Sequence, residues 1–329
     1  MKISNYTVSI KNGACTSCNA QASLILRKYS GEALCPACFE KSVENNIRHT
    51  ISKYKMLKPS NKIVVGFSGG KDSIALLYNL FKIQEKSYKA KPIVALTINE
   101  GIKDYRDNSI NFANKFCEKY EIEHKIVSFE ESIGKTLDEI NNIKKKISNW
   151  RYTCNYCAVI RRRLLNETAR DLRADRLAIG HNLTDFAETY LMNIMYNRFH
   201  LISNQYLFKG DNSDVNNYFV KKITPLMRIP EEEIFIYSNL KKFNYYSSHC
   251  PYREKEPILR KRVLDFIQDC KVHSPEIEFN LFNGFLKLSE LLYNYEPTGV
   301  KYGSCPECGY PSGNNSLCTY CEYIKKLST

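Results

Sequence analysis

The sequence predicts an α/β fold: a doubly wound parallel sheet flanked by a small four-cysteine module toward each end of the chain. Three observations predict it. Short β-branched runs alternate with stretches that are apolar at helical spacing, the pattern of successive βαβ units. One such strand, Ile63-Val64-Val65-Gly66-Phe67, breaks at Ser68-Gly69-Gly70 and resumes as a helix start at Lys71-Asp72-Ser73. Cysteines fall in Cys-x-x-Cys pairs, two pairs near each terminus.

In chain order, Cys15-x-x-Cys18 and Cys35-x-x-Cys38 come first, separated by about 16 residues. That spacing matches a four-cysteine zinc ribbon or treble-clef-like module. The segment is too small to hold a core, so metal binding would supply its folding free energy. A helix is expected over 39–58, followed by strand 62–67 and helix 72–86. A second buried strand, 91–98, ends at Asn99-Glu100-Gly101. Helix 107–120, strand 123–129, helix 160–173, strand 176–180 and helix 185–198 continue the alternation. The stretch 203–218, rich in Asn, Asp and Ser, reads as a loop. Pro230-Glu231-Glu232-Glu233 opens a helix to about Phe243, with Pro in its first turn and acidic residues facing the dipole. Helices 256–270 and 276–294 complete the body. Pro297-Thr298-Gly299 reads as a linker to a second ribbon, Cys305-x-x-Cys308 with Cys318-x-x-Cys321. The expected domains are therefore an N-terminal ribbon (1–45), a catalytic α/β body (46–296) and a C-terminal ribbon (297–329).

A strand, two glycines and a helix start make an anion site. Glycine permits positive φ and close backbone approach. The turn and helix amides then face one concavity, where the helix dipole favours negative charge. Lys71 adds a point charge, and Ser68 and Ser73 add hydroxyl donors. The pattern is not the Walker loop, which has four residues between its glycines. The bland reading is a tight turn with steric glycines; serine before and Lys-Asp-Ser after argue against it. In a doubly wound sheet, ligands bind beyond the carboxyl ends of the strands. The Ser-Gly-Gly turn, Thr97 and Gly180-His181-Asn182 all fall at such ends, so three stretches converge on one cleft.

Cys154 and Cys157 form a pair with no second pair nearby, so no four-cysteine site closes locally. Either they are a dithiol redox pair or they are two ligands awaiting a distant third, for which Cys250 is the natural candidate. Cys117 falls on the apolar face of its helix and reads as a core thiol; Cys270 reads the same way. A lone histidine is more often structural than chemical. Only His181 and His249 sit beside proposed chemistry, and His249 is given no catalytic role.

Lys and Arg outnumber Asp and Glu 48 to 35, for a formal net charge of +13. Basic clusters recur at Lys144-Lys145-Lys146, Arg161-Arg162-Arg163, Lys221-Lys222, Lys241-Lys242 and Arg260-Lys261-Arg262. Any one of these alone is a solvated face. Together they favour a polyanionic partner, for which counterion release supplies affinity. Met1 to Ala14 shows no apolar signal-peptide region. No apolar run approaches the ~18 residues a membrane helix needs. The expectation is the reducing cytosol, without membrane attachment, where paired cysteines bind metal.

The Ser68–Ser73 segment resembles the PP-loop of the ATP pyrophosphatase superfamily, with its adenine nucleotide α-hydrolase-like fold. Its members cleave ATP between the α and β phosphates. With that loop, two flanking ribbons, Cys154-x-x-Cys157 and a lone downstream Cys250, nearly the whole chain resembles the tRNA 2-thiouridine synthetase family, of the TtuA-like and wobble-uridine thiolase types. The resemblance implies that Ser68, Gly69, Gly70, Lys71, Asp72, Ser73, Thr97, Gly180 and His181 bind ATP with Mg2+. It implies a [4Fe-4S] cluster on Cys154, Cys157 and Cys250, with Arg161 and Asp185 catalytic. Zinc would occupy Cys15, Cys18, Cys35 and Cys38, and again Cys305, Cys308, Cys318 and Cys321. The implied partners are tRNA and, as sulfur donor, a ubiquitin-like carrier protein or free sulfide; a homodimer is compatible with it. There are two departures. Thr184 stands where the family motif has its first Asp, and Ala158 stands where Gly usually follows the cysteine pair.

The chemistry suits these residues. Replacing a uracil C2 oxygen by sulfur needs a better leaving group than oxide, and adenylation makes it AMP. Two other readings remain: a 2-thiocytidine synthetase-type PP-loop enzyme, and a non-catalytic zinc-ribbon RNA-binding protein. Whether the target is the wobble or the T-loop uridine is left open by the sequence.

Overall fold

The period-two alternation of Ile63, Val64 and Val65 sends side chains to opposite faces of one sheet, and two cores result. Ile63, Val65 and Ala95 join one buried cluster, whereas Val64, Val94, Leu96 and Ile98 join another. The computed structural model describes residues 2–3, 6–7, 10–144, 152–207, 218–252, 259–295, 302–313 and 316–328. The expected linker at 297–299, residues 208–217 of the expected loop, and Lys145 and Lys146 lie outside the described residues.

The chain begins with β1 (Lys2–Ile3) and β2 (Tyr6–Thr7), an antiparallel pair. Next come β3 (Ile10–Ala14), β4 (Gln21–Arg27) and β5 (Glu32–Leu34), an antiparallel sheet that carries the first cysteine group. Helix α1 (Pro36–Lys53) follows, with Pro in its first turn and Phe39, Val43, Ile47 and Thr50 buried. It crosses the expected 45/46 boundary without a break. The body then alternates: β6 (Ile63–Gly66), α2 (Lys71–Gln84), β7 (Val94–Asn99), α3 (Tyr105–Lys119) and β8 (Glu123–Ser128). Two short helices not expected from the sequence, α4 (Phe129–Ile133) and α5 (Leu137–Lys144), lead to α6 (Thr153–Asp171). After these come β9 (Arg176–Ala178), α7 (Leu183–Met195), α8 (Phe199–Ser203) and β10 (Lys222–Ile223). Helices α9 (Glu231–Leu240), α10 (Leu259–His273) and α11 (Ile277–Tyr295) close the body. The tail is the hairpin β11 (Tyr302–Ser304) and β12 (Pro311–Gly313) with α12 (Thr319–Ser328).

The central sheet has the order β10-β9-β6-β7-β8, with every pairing parallel. The chain winds outward from β6 in one direction and then returns to β9 on its other side. That reversal puts the switch point between β6 and β9, where open α/β sheets bind ligands. Among the described residues no helix is long and apolar enough to cross a membrane.

The longest correction to the expected elements is α6, which starts seven residues before 160. Cys154 and Cys157 therefore sit in its first turns rather than in a preceding loop. The buried stripe Tyr156, Ile160 and Leu164 extends the helical period back through the pair. The two-residue β10 has too little pattern of its own to be foreseen and forms by pairing with β9.

Both ribbons pack on the body, one against each core. On the N-terminal side Arg27 pairs with Glu233 at 2.8 Å, both nearly fully buried, and the Tyr29 hydroxyl donates to the same carboxylate. On the other side Tyr323 stacks on Tyr156 at 4.2 Å, and the Arg163 guanidinium lies 3.4 Å from the centre of the Tyr310 ring. The N-terminal ribbon thus braces α9, and the C-terminal ribbon braces α6.

Candidate active site

Gly69 has φ +78°, and a Cβ there would stand 2.3 Å from the Ser109 carbonyl oxygen, so the turn tolerates only glycine. Gly70 differs. A Cβ on it would meet only Ser68 Oγ at 3.5 Å and the Tyr246 carbonyl at 3.9 Å, leaving open space beside the start of α2. The loop is tied by its own hydroxyls. Ser73 Oγ donates to the Gly70 carbonyl at 2.9 Å and accepts from Ser68 N at 3.2 Å. Gly70 is the N-cap of α2 and offers no side chain to its first amides. Those donors are left for an anion.

Lys71 Nζ lies 2.9 Å from Asp72 and 2.6 Å from Glu231. Burial opposes its charge, but the two carboxylates prevail and raise its pKa. Asp72 is raised mainly by burial, with Lys71 opposing. Asn182 donates to Asp72 Oδ1 at 3.0 Å and joins this loop to the one after β9. There Gly180 allows a close approach: a Cβ on it would lie 3.3 Å from the Asp72 backbone, a tight contact. Asn182 and Asp185 form the capping box of α7, and Arg260 pairs with Asp185 at 3.1 Å. Burial is the main cause of a lowered His181 pKa; Arg260, Arg162 and Arg161 lower it further, against Asp185. The separate basic runs at 161–163 and 260–262 therefore meet around His181, a convergence that their spacing in sequence does not reveal.

Thr97 is fully buried, and its hydroxyl donates to the Phe67 carbonyl at 2.5 Å. His124 Nε2 lies 2.7 Å from the same hydroxyl, and its Nδ1 lies 2.8 Å from Asn114 Oδ1. Sequence reading left His124 out; only the cross-strand placement of β7 and β8 brings it there. Thr184 is explained by distant partners. Its hydroxyl donates to buried Glu278 at 2.7 Å and accepts from Glu231 N at 3.2 Å. A carboxylate at this position would face Glu278 with like charge.

Cys154, Cys157 and Arg161 follow one another along α6. Burial is the largest cause of a Cys157 thiol pushed up to about 12; Arg161 opposes it, while Cys250, Cys154 and Glu100 add to it. Cys250 lies between two anchors. Tyr246 N donates to the Gly69 carbonyl at 2.9 Å, and Tyr252 OH donates to Asp138 at 2.6 Å. One anchor is the glycine turn itself. Buried Glu100 pairs with buried Arg106 at 2.7 Å and reaches Arg161 at 3.5 Å. Arg106 also donates to the Ser68 carbonyl at 3.4 Å. A continuous set of contacts therefore joins the anion loop to the cysteine-bearing helix. Removing either partner of the Glu100–Arg106 pair would cost about 3–5 kcal/mol, the penalty for stranding a buried charge.

Within each terminal cysteine group the four sulfurs lie within 4.8 Å of one another, close enough for a single metal ion. In the first group the Cys35 amide leads the lowering of the Cys15 thiol to about 6; in the second the Cys318 amide does so for Cys305, also to about 6. Thiolates are the metal-binding form. Among the described residues only these two groups gather so tightly, and Cys154, Cys157 and Cys250 do not. Three thiols leave a tetrahedral structural ion one ligand short, whereas a multi-iron cluster can be held by three. Cys308→Ser is expected to lose about one equivalent of zinc and to weaken solubility or RNA retention, because such modules fold with their metal. Elemental analysis checks this, and zinc-free wild type purified with metal would contradict it.

Residues 39–265 match the family described as a PP-loop domain, ATP_bind_3. A probable sulfurtransferase of Methanocaldococcus jannaschii is 34% identical over 326 residues, covering 98% of this chain and 91% of that protein. Cytoplasmic tRNA 2-thiolation protein 1 of Drosophila willistoni is 31% identical over 324 residues, covering 95% and 88%. Among solved structures, the U34-tRNA thiolase NcsA from Methanococcus maripaludis, with its [4Fe-4S] cluster, matches with TM-score 0.78 at 31% identity, covering 95% of this chain and 96% of that one.

Proposed function

The chain belongs to the PP-loop domain family and, within it, to the tRNA 2-thiouridine synthetases, and from that premise we propose that it replaces the C2 oxygen of a tRNA uridine by sulfur. The observation that carries the reading is the set of contacts from Ser68 through Arg106 and Glu100 to Arg161, which joins a phosphate cradle to three cysteines. Its relatives' printed names favour the wobble uridine and the cytoplasm.

The uracil C2 oxygen attacks the α phosphorus of ATP, and pyrophosphate leaves into the Ser68–Ser73 turn. The amides at the start of α2, Lys71 and the Ser68 hydroxyl take up its charge, and Ser73 ties the turn that presents them. Sulfur then adds at C2, and AMP departs with the oxygen. Arg161, with Arg162 and Arg260 nearby, offsets charge on the α phosphate. Asp185, held in its capping box and paired with Arg260, is the carboxylate set to take the uracil proton or to hold Mg2+ with Asp72. Neutral His181 lies beside them as a hydrogen-bonding partner for the nucleotide. Cys154, Cys157 and Cys250 would hold a [4Fe-4S] cluster, which supplies an iron without a protein thiolate where sulfide can dock. The ribbons hold two zinc ions and, with the basic surface, an RNA read mainly by shape and by an exposed loop base. Free sulfide or a ubiquitin-like carrier supplies sulfur. The 1–45, 46–296 and 297–329 division is one of function, since α1 runs through its first boundary.

Nucleoside mass spectrometry of tRNA fragments from a strain lacking the protein tests this reading. Loss of 2-thiouridine from the anticodon fragment is expected. Unchanged 2-thiouridine in every fragment would sink it.

A further inference from the structure

Glu100 is an unusual residue for the end of a strand: a carboxylate only 4% exposed, at the mouth of the cleft. Its backbone is fixed independently of its side chain. The Leu137 amide donates to its carbonyl at 2.7 Å, and Gly101 N donates to the Asn99 side chain at 3.0 Å. Gly101 follows at φ +69°, so close to Thr136 that a Cβ would lie 2.7 Å from its side chain. The carboxylate therefore cannot swing away with its loop.

Its two oxygens are used unequally. Oε2 forms an ion pair with Arg106, 2.7 Å from its Nε; that Nε donates to Ile98 O at 2.9 Å, and Nη1 donates to Ser109 Oγ at 3.1 Å and to Ser68 O at 3.4 Å. Arg106 is 5% exposed and turned onto protein acceptors, so burial keeps it from a substrate. Oε1 faces Arg161 at the longer distance of 3.5 Å, and the Arg161 side chain is 48% exposed. Arg161 is thus about half exposed, whereas Arg106 is buried. An arginine on a helix surface has a long, mobile side chain, and a fixed carboxylate beside it selects one of its directions.

We propose that Glu100 is a positioning residue that aims Arg161 at the reacting phosphate, with Arg106 as the strut that fixes Glu100 against the Ser68 backbone. This rests on the role given to Arg161 above. Arg106 holds the carboxylate, the carboxylate holds Arg161, and Arg161 alone touches substrate. The direction of the arginine is then set from the anion loop, so cradle and arginine share one frame.

A double-mutant cycle separates this role from a merely structural one. AMP formation with tRNA, ATP and sulfide is measured for wild type, Glu100→Gln, Arg161→Ala and the double variant, with thermal unfolding as control. Glu100→Gln is expected to lower kcat about tenfold with little change in the KM for ATP. Arg161→Ala is expected to lower it on the order of a hundredfold. In the double variant Glu100→Gln should add nothing, because there is no arginine left to aim. The same tenfold loss in the Arg161→Ala background would overturn the proposal. Should Glu100→Gln fail to fold, Glu100→Asp keeps the charge for Arg106 but shortens the reach to Arg161. It is expected to fold and to show the same kcat defect; full activity would overturn the proposal.

A crystal structure of whichever Glu100 variant folds gives a readout that needs no turnover. Arg161 is expected to leave its position while the α6 backbone and the Ser68–Ser73 turn stay in place. Arg161 unmoved would overturn the positioning role even if the wild type proved inactive on tRNA. Wild-type inactivity with Arg161 displaced in the variant would instead count against the thiolation reading alone.

Discussion

Gly70→Val abolishes AMP release and leaves the protein folded: this is the expected result, and the two glycines of the turn predict it differently. At position 70 the backbone is extended, with φ −85° and ψ 164°, a conformation any residue adopts. The nearest atoms to an added Cβ, at 3.5 and 3.9 Å, are at ordinary contact distance. The valine methyl groups would instead fill the room beside the first amides of α2, where phosphate oxygens must approach. Loss of such preorganised donors typically costs 10²–10³-fold in rate, about 3–4 kcal/mol. Blocking several together should leave no measurable turnover. At position 69 even alanine forces a Cβ onto the Ser109 carbonyl at positive φ, so Gly69→Ala is expected to lower the unfolding midpoint. Pyrophosphate release and thermal unfolding measured side by side distinguish the two. Normal pyrophosphate production by folded Gly70→Val would remove the phosphate-cradle assignment.

Cys250→Ala has the second large effect. It is expected to lose or destabilise the iron cluster and stop thiolation while ATP binding persists. The separation follows from how the segment is held. Its link to the glycine turn is a backbone bond from Tyr246, and Tyr246 packs on Tyr105 and Phe112, with ring centres 5.5 and 5.8 Å away. Truncating a thiol four residues later leaves those contacts in place. Anaerobically reconstituted wild type should be brown, with about four irons beyond its zinc. A dithiol redox pair at Cys154 and Cys157 would need no third cysteine. Undiminished iron and thiolation in Cys250→Ala would remove Cys250 from the ligands, and thiolation by wild type that holds no iron beyond trace would favour that alternative.

The loop 68–73 was legible in the sequence because its chemistry is local: glycine, hydroxyl and lysine act within one turn. The ribbons were legible because metal-ligand spacing is short. The start of α6 is less legible, because the cysteine pair interrupts the helical period that Tyr156, Ile160 and Leu164 carry. The Glu100–Arg106–Arg161 contacts were not legible, since a buried ion pair looks in sequence like any two surface charges. The same holds for His124, whose partner Thr97 lies on the neighbouring strand, and for Thr184, whose partner Glu278 lies on α11. Charge and register at the site are set by residues far apart in the chain, and only the packed sheet brings them together.

Formation of 2-thiouridine from tRNA, ATP and sulfide, compared between oxygen-free reconstituted protein and aerated iron-free protein, tests most directly whether the phosphate cradle and the three cysteines form one active site. The reconstituted enzyme is expected to thiolate and release AMP. The aerated protein should still bind ATP, because its cradle is built from the turn and α2, but should make no 2-thiouridine. Equal thiolation by the two would contradict a catalytic cluster on Cys154, Cys157 and Cys250.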